Sequence, residues 1–251
     1  MSIVSFFKKS KKEKKYLIRK LFFPNKVSNK IYVDYLQEKG LKIGAGTYFF
    51  DPCNTIVDIQ RPWALSIGEY CKIASGAVIL AHDYSRSVLR KKFNDILCEF
   101  NETIIGDNVF IGINSIILMG TKIGSNCIVG AGSVVSGSFP NDVVIAGNPA
   151  KIICSLEYFY EKRKAKQIAE AKNWVKTFYR RYGRVPKPCE LSAFFYLFLP
   201  REVNSLDDNN IWYKWNGDNH DEILNSFLSS QPLYSSYEDF IKDALLDEKT
   251  N

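Results

Sequence analysis

The sequence predicts a mainly β protein: a parallel β-helix over residues 41–152, a basic helical arm and cap before it (1–40), and a helical region after it (153–251). Three observations carry this. From Thr103 to Ile152 an aliphatic residue recurs every six positions, at Ile105, Ile111, Ile117, Ile123, Val129 and Val135. Four positions after the aliphatic residue stand Val109, Ser115, Thr121, Cys127 and Ser133, most of them small. Glycine follows the aliphatic residue at Gly106, Gly112, Gly124 and Gly130. A six-residue period marks a β-helix, in which each hexad is a short strand and a bend, three hexads make a coil, and coils stack about 4.8 Å apart. The aliphatic side chain fills a narrow prism, the next inward position must be small, and glycine lets the chain turn.

Taken in order, the chain opens with Ser2–Phe23, a basic amphipathic helix with Leu17, Ile18, Leu21 and Phe22 on one face. That face has two readings, a helix packed beside the prism or a peripheral contact with an anionic membrane surface. Val27–Gly40 reads as a short helix that closes the open first coil, since a solenoid needs a cap. The hexads then begin near Leu41, with Ile43, Phe49, Thr55, Arg61, Ile67, Ile73 and Ile79 in one register. Their partners four positions on are Thr47, Cys53, Ile59, Leu65, Cys71, Ala77 and Asp83. On this register Cys53 and Cys71, one 18-residue coil apart, should stack as reduced neighbours. The register is lost between Ile79 and Ile105, where a protruding loop (82–103) opens with Ala81-His82-Asp83-Tyr84. A long loop in a repeat array is a functional candidate. After Ile152 the period becomes helical, with helices expected at Ser155–Tyr182, Cys189–Leu199, Asp221–Ser229 and Tyr237–Leu246.

Composition sets limits. A hydrophobic fraction of 46% and a charged fraction of 24% are ordinary for a soluble chain, and no run of 18 apolar residues is present. The N-terminus lacks the pattern of a signal peptide, so a cytoplasmic location is expected. Residues 1–30 carry nine lysines and Arg19 against Glu13, a balance of +9, while the whole chain is +7. The basic character therefore belongs to the arm, and no nucleic-acid partner is expected. The six cysteines form no CxxC pair; Cys53, Cys71 and Cys127 fall at inward positions and read as filler.

The hexads, the loop headed by His82, the run Gly130-Ala131-Gly132-Ser133-Val134-Val135 and the segment Ala146-Gly147-Asn148-Pro149-Ala150-Lys151 together resemble the hexapeptide-repeat acyltransferases. The branch they resemble holds sugar, capsule and O-antigen O-acetyltransferases and xenobiotic acetyltransferases. The resemblance covers about Leu41–Ile152 and implies left-handed coiling, acetyl-CoA as co-substrate, no metal and a homotrimer. A zinc hydratase on the same prism would need three histidines, and the β-helical part has one.

Acetyl transfer to a hydroxyl needs a base, a positioned thioester and a donor for the oxyanion. His82 is the only histidine in the β-helical part and stands where the chain leaves the prism, which makes it the candidate general base. By resemblance, the pantetheine arm lies along Phe110, Gly112, Ile113, Ala131, Ser136 and Lys151, with the Ile113 amide as oxyanion donor. Gly137 stands where galactoside-type relatives carry lysine, leaving Lys151, with Lys162 and Arg163, for the CoA phosphates. By resemblance to galactoside-type relatives, Asp51 falls at a sugar-contacting position and Asp58 close to another; Asp83, beside the base, is a third candidate for the acceptor, and carboxylates accept sugar hydroxyls well. The reading is an O-acetyltransferase acting on a sugar in surface polysaccharide biosynthesis. The alternative is N-acetylation of an amino sugar or of a xenobiotic.

Overall fold

The computed structural model describes residues 10–191, 193–209, 211 and 217–246. The chain divides into two compact units, Met1–Phe159 and Tyr160–Asn251. In the first, α1 (Lys11–Phe22) leads through a 3-10 turn at Pro24–Lys26 into α2 (Asn29–Glu38). The Ser28 hydroxyl caps α2 by accepting the Ile31 N–H at 3.4 Å. Gly40, at φ +101°, stops it. Tyr32 and Leu36 turn inward to the core, where the Tyr32 ring meets Phe49 edge-to-face at 5.0 Å. This helix is the cap that the open first coil requires.

The prism is three parallel sheets. The first stacks β1 (Lys42–Ile43), β4 (Leu65–Ile67), β7 (Thr103–Ile105), β10 (Lys122–Ile123) and β13 (Ser138–Phe139). The second stacks β2 (Tyr48–Phe49), β5 (Lys72–Ile73), β8 (Phe110–Ile111), β11 (Ile128–Val129) and β14 (Val143–Gly147). On β14 the chain folds back as antiparallel β15 (Ala150–Ser155). The third stacks β3 (Ile56–Val57), β6 (Val78–Ile79), β9 (Ile116–Ile117) and β12 (Val134–Val135). The predicted aliphatic columns are the core: Ile67, Ile105 and Ile123; Ile73, Ile111 and Val129; Ile79, Ile117 and Val135 are all buried. The small inward residues are polar without penalty because their hydroxyls find carbonyls. Ser115 donates to Gly130 O at 2.9 Å and Thr121 to Val135 O at 3.0 Å.

One corner repeats a left-handed residue on successive coils, at Tyr70, Asn108, Asn126 and Asp142 (φ 55°, 53°, 57° and 60°). Asparagine tolerates that conformation. Here it also builds a ladder, with Asn108 Nδ2 donating to Asn126 Oδ1 and Asn126 Nδ2 to Asp142 Oδ1, both at 3.0 Å.

The first coil departs from the expected register. Lys42 pairs with Ser66, 24 residues on, whereas Ile104 pairs with Lys122, 18 residues on. Two proline-led 3-10 turns, Pro52–Asn54 and Pro62–Ala64, take up the extra residues. Val57, not Thr55, is therefore the inward strand residue of the third side, pairing with Ile79. Arg61 is half-buried and Ile59 exposed, not core. Cys53 does not stack on Cys71 either. Its thiol meets Lys26 O at 3.4 Å, while the residue beside Cys71 is Thr47, whose Oγ1 accepts the Cys71 N–H at 3.1 Å. All six cysteines are free.

The excursion leaves after β6 and carries α3 (Arg86–Phe93), which buries no residue and ends at Asn94 in the left-handed region. The chain re-enters at Thr103, whose hydroxyl donates to Leu80 O at 2.7 Å and accepts the Gly120 N–H at 3.1 Å.

The second unit has its own core. Ala171 and Val175 of α4 (Leu156–Tyr182) join Leu206 of α5 (Ser205–Asp208), Phe227 of α6 (His220–Ser229), and Phe240 and Ala244 of α7 (Tyr237–Leu245). Ser236 caps α7 by accepting the Asp239 N–H at 3.1 Å. Among the described residues no helix spans the expected Cys189–Leu199. In its place are 3-10 turns at Pro188–Leu191 and Phe195–Leu197. Leu191, Phe195, Leu197, Phe198 and Leu199 are all buried, a pattern no single helix face provides. Arg201 ties the irregular backbone by donating to Tyr196 O at 2.6 Å and Leu199 O at 2.5 Å. Among the described residues no helix is long and apolar enough to cross a membrane.

Candidate active site

The site is built where the third sheet hands over to the first. Asp58 follows β3, and His82 follows β6 one coil later. The Asp58 side chain is 3% exposed, and Oδ2 faces His82 Nδ1 in a short contact. Two backbone amides complete the carboxylate: Ala81 N–H donates to Oδ2 at 2.9 Å and Gln60 N–H to Oδ1 at 2.8 Å. Burial alone would raise the Asp58 pKa. The hydrogen bonds from Gln60, His82 and Ala81 outweigh it and hold the group below the ordinary carboxylate value. An ionised carboxylate can only accept, so Nδ1 of His82 is the donor, and in the neutral ring the lone pair is on Nε2. The His82 side chain is 27% exposed, enough for a substrate to reach it.

Asp58 already has partners in the structure. It was a candidate for the acceptor, yet its oxygens are committed to His82 and the backbone. Sequence reasoning left open which group fixes the histidine tautomer. The missing signal is in Pro52 and Pro62, whose turns shift the first coil until Asp58 stands under the exit of β6.

Asp51 is likewise occupied. Arg19 Nη2 donates to its Oδ1 at 3.3 Å and Ser75 Oγ to its Oδ2 at 3.2 Å. Asp83 is exposed and serves the turn into α3. Its carboxylate accepts the Ser85 N–H, and hydrogen bonding to Ser85 lowers its pKa. Its carbonyl accepts from Arg86 Nη1 at 2.5 Å.

The donor candidates divide between two corners. Phe110, 41% exposed, points outward from the second sheet, where Lys151 on β15 also lies. Gly112, Ile113 and Ala131 form the corner between the second and third sheets. Gly112 must be glycine, because a Cβ there would meet Ala131 N at 2.6 Å and Val129 O at 2.7 Å. Ile113 is half exposed, and its carbonyl accepts the Gly132 N–H at 2.8 Å. No hydrogen bond of its amide occurs among the described residues. Ser136 and Gly137 lie instead at the corner between the third and first sheets, the corner that His82 leaves. His82 and Ile113 thus stand on opposite edges of the third sheet of one chain. Of the remaining cations, Arg163 is held by Glu170 at 2.8 and 2.7 Å, and it lies with Lys162 in the second unit. Among the described residues no group of three His, Cys, Asp or Glu side chains could hold a metal ion.

The repeat described as "hexapeptide repeat of succinyl-transferase" matches residues 102–136. Protein CapG of Staphylococcus aureus is 39% identical over 129 residues, 51% of this chain and 74% of that protein. The putative acetyltransferase YvoF of Bacillus subtilis is 33% identical over 138 residues, 55% of this chain and 72% of that protein. The putative lipopolysaccharide biosynthesis O-acetyl transferase WbbJ of Escherichia coli is 36% identical over 124 residues, 44% of this chain and 61% of that protein.

Proposed function

Because the chain belongs to the hexapeptide-repeat acetyltransferase family, with its left-handed parallel β-helix, we propose that it moves an acetyl group from acetyl-CoA to a sugar hydroxyl. The observation that carries this reading is the His82–Asp58 pair at the edge of the prism. His82 Nε2 takes the proton of the acceptor hydroxyl as its oxygen attacks the thioester carbonyl. Asp58 holds the ring in the tautomer with Nδ1 protonated and stabilises the imidazolium that forms. The Ile113 N–H donates to the oxyanion of the tetrahedral intermediate. Collapse breaks the carbon–sulfur bond, the imidazolium returns its proton to the CoA thiolate, and the acetyl ester leaves.

The pantetheine arm runs along Phe110, Gly112, Ile113 and Ala131, with Ser136 and Lys151 flanking it. The opposite-edge placement of His82 and Ile113 supports a homotrimer, in which the base of one copy faces the amide of the next across a seam. The acceptor is a sugar of a surface polysaccharide, a reading supported by the name that WbbJ carries. The reaction runs in the cytoplasm, where acetyl-CoA is made. The test is thiol release from acetyl-CoA by purified protein with neutral sugars, amino sugars, and streptogramin- or chloramphenicol-type drugs. Release with hydroxyl sugars, absent in His82→Ala, is the expected result. Release with amines or drugs alone would replace the reading by N-acetyl or xenobiotic transfer.

A further inference from the structure

α1 is turned the wrong way round for a helix that packs on its own protein. A surface helix normally lays its apolar stripe on the core and its cations in water. Here the last turn is tied to the prism by a cation, Arg19 Nη2 to Asp51 Oδ1 at 3.3 Å. Just beyond the helix, Lys26 Nζ donates to Thr55 O at 2.7 Å. Leu17 is half-buried, but the other apolar side chains face solvent: Ile18 is 49% exposed, Leu21 77%, Phe22 68%, and Phe23, directly after the helix, 49%. A helix of 12 residues is marginal alone in water and needs a surface against which to bury such a stripe.

We propose that α1, with Phe23, docks on the surface of an anionic lipid bilayer. Charge argues for lipid. α1 carries Lys11, Lys12, Lys14, Lys15, Arg19 and Lys20 against the single acid Glu13. Asp51, the acid facing it from the first coil, is already neutralised by Arg19. A second copy of the chain would bring the same excess of positive charge to the contact. A bilayer of anionic lipid supplies the opposite charge and an acyl boundary for Leu21, Phe22 and Phe23. Each cation near such a surface strengthens binding about fivefold. The surface makes no use of His82 or of the donor corner, so it stands or falls apart from acetyl transfer.

The test is sedimentation of the full chain with vesicles of phosphatidylcholine containing phosphatidylglycerol, beside vesicles of phosphatidylcholine alone. The chain should pellet with the anionic vesicles only, and salt of about 1 M, where charges are screened within about 3 Å, should release it. The double variant Leu21→Glu, Phe22→Glu should weaken binding by roughly a hundredfold, since two apolar side chains leave the acyl boundary. Its mass by analytical ultracentrifugation and its helical circular dichroism signal should match those of the parent. Equal binding to neutral vesicles, no binding to either, or an unchanged double variant would overturn the proposal. A parent that ignores vesicles and a variant that falls to a smaller assembly would assign the stripe to a second copy instead.

Discussion

Two residues decide whether the chemistry proposed here is right. His82→Ala should lower kcat/KM by roughly 10² to 10⁴, the usual worth of a general base, while CoA binding by calorimetry stays at the parent value. Asp58→Asn should lose nearly as much. The amide can donate to Nδ1, which favours the tautomer with its proton on Nε2 and removes the lone pair. Retention of activity within threefold by either variant would remove the pair from the mechanism. Asp58 also makes stability depend on pH. Its folded pKa is depressed, so its ionised form contributes stability above the ordinary aspartate value of about 4, and the contribution is lost as pH falls through the lower folded value. The urea midpoint of the parent should fall in acid more than that of Asp58→Asn. Gly112→Ala tests the neighbouring corner. Its Cβ would run into the backbone at Ala131 and Val129, and overpacking of this kind costs about 1–3 kcal/mol, to be read as a lower midpoint of thermal unfolding.

At the scale of elements, α3 is the piece whose role separates acceptor from donor. Arg90, Lys91 and Lys92 lie exposed in its last turn. The triple alanine variant should raise KM for an anionic acceptor, leave KM for acetyl-CoA alone and leave kcat near the parent, because it removes binding common to ground and transition states. Added salt should have the same effect. Loss of acetyl-CoA affinity with acceptor affinity kept would move these cations to the CoA phosphates. The elements also show what the sequence could and could not disclose. Hexads from Ile105 onward were legible because the prism allows one inward aliphatic and one small residue per side. The first coil was not, because Pro52 and Pro62 open turns that add residues without a change in composition. The Asp58–His82 pair stayed hidden for the same reason, since a count of 18 places Asp58 away from the histidine. Cys189–Leu199 was misread because a continuous apolar run fits a helix or a set of buried turns equally well.

For the whole molecule, the two units bury separate cores, one around the aliphatic columns and one around Phe198, Phe227 and Phe240. Two heat-absorption transitions are therefore expected in calorimetry, and a ligand of the prism such as CoA should raise only one of them. A single transition that shifts as a whole would show that the cores melt together.

The enlarged first coil has a consequence for what lengths of chain this architecture can accept. Stacked coils read one another position by position, so a residue added within the Asn108–Asn126–Asp142 ladder would displace every column after it. The two prolyl turns and the α3 excursion already absorb extra residues without passing the offset on to later coils. They are the joints at which a peptide can be spliced in while the columns keep count. Trp63, 69% exposed at the tip of one such turn, stands between the third and first sheets, so a fluorophore placed there would sit on the edge that carries Asp58 and His82.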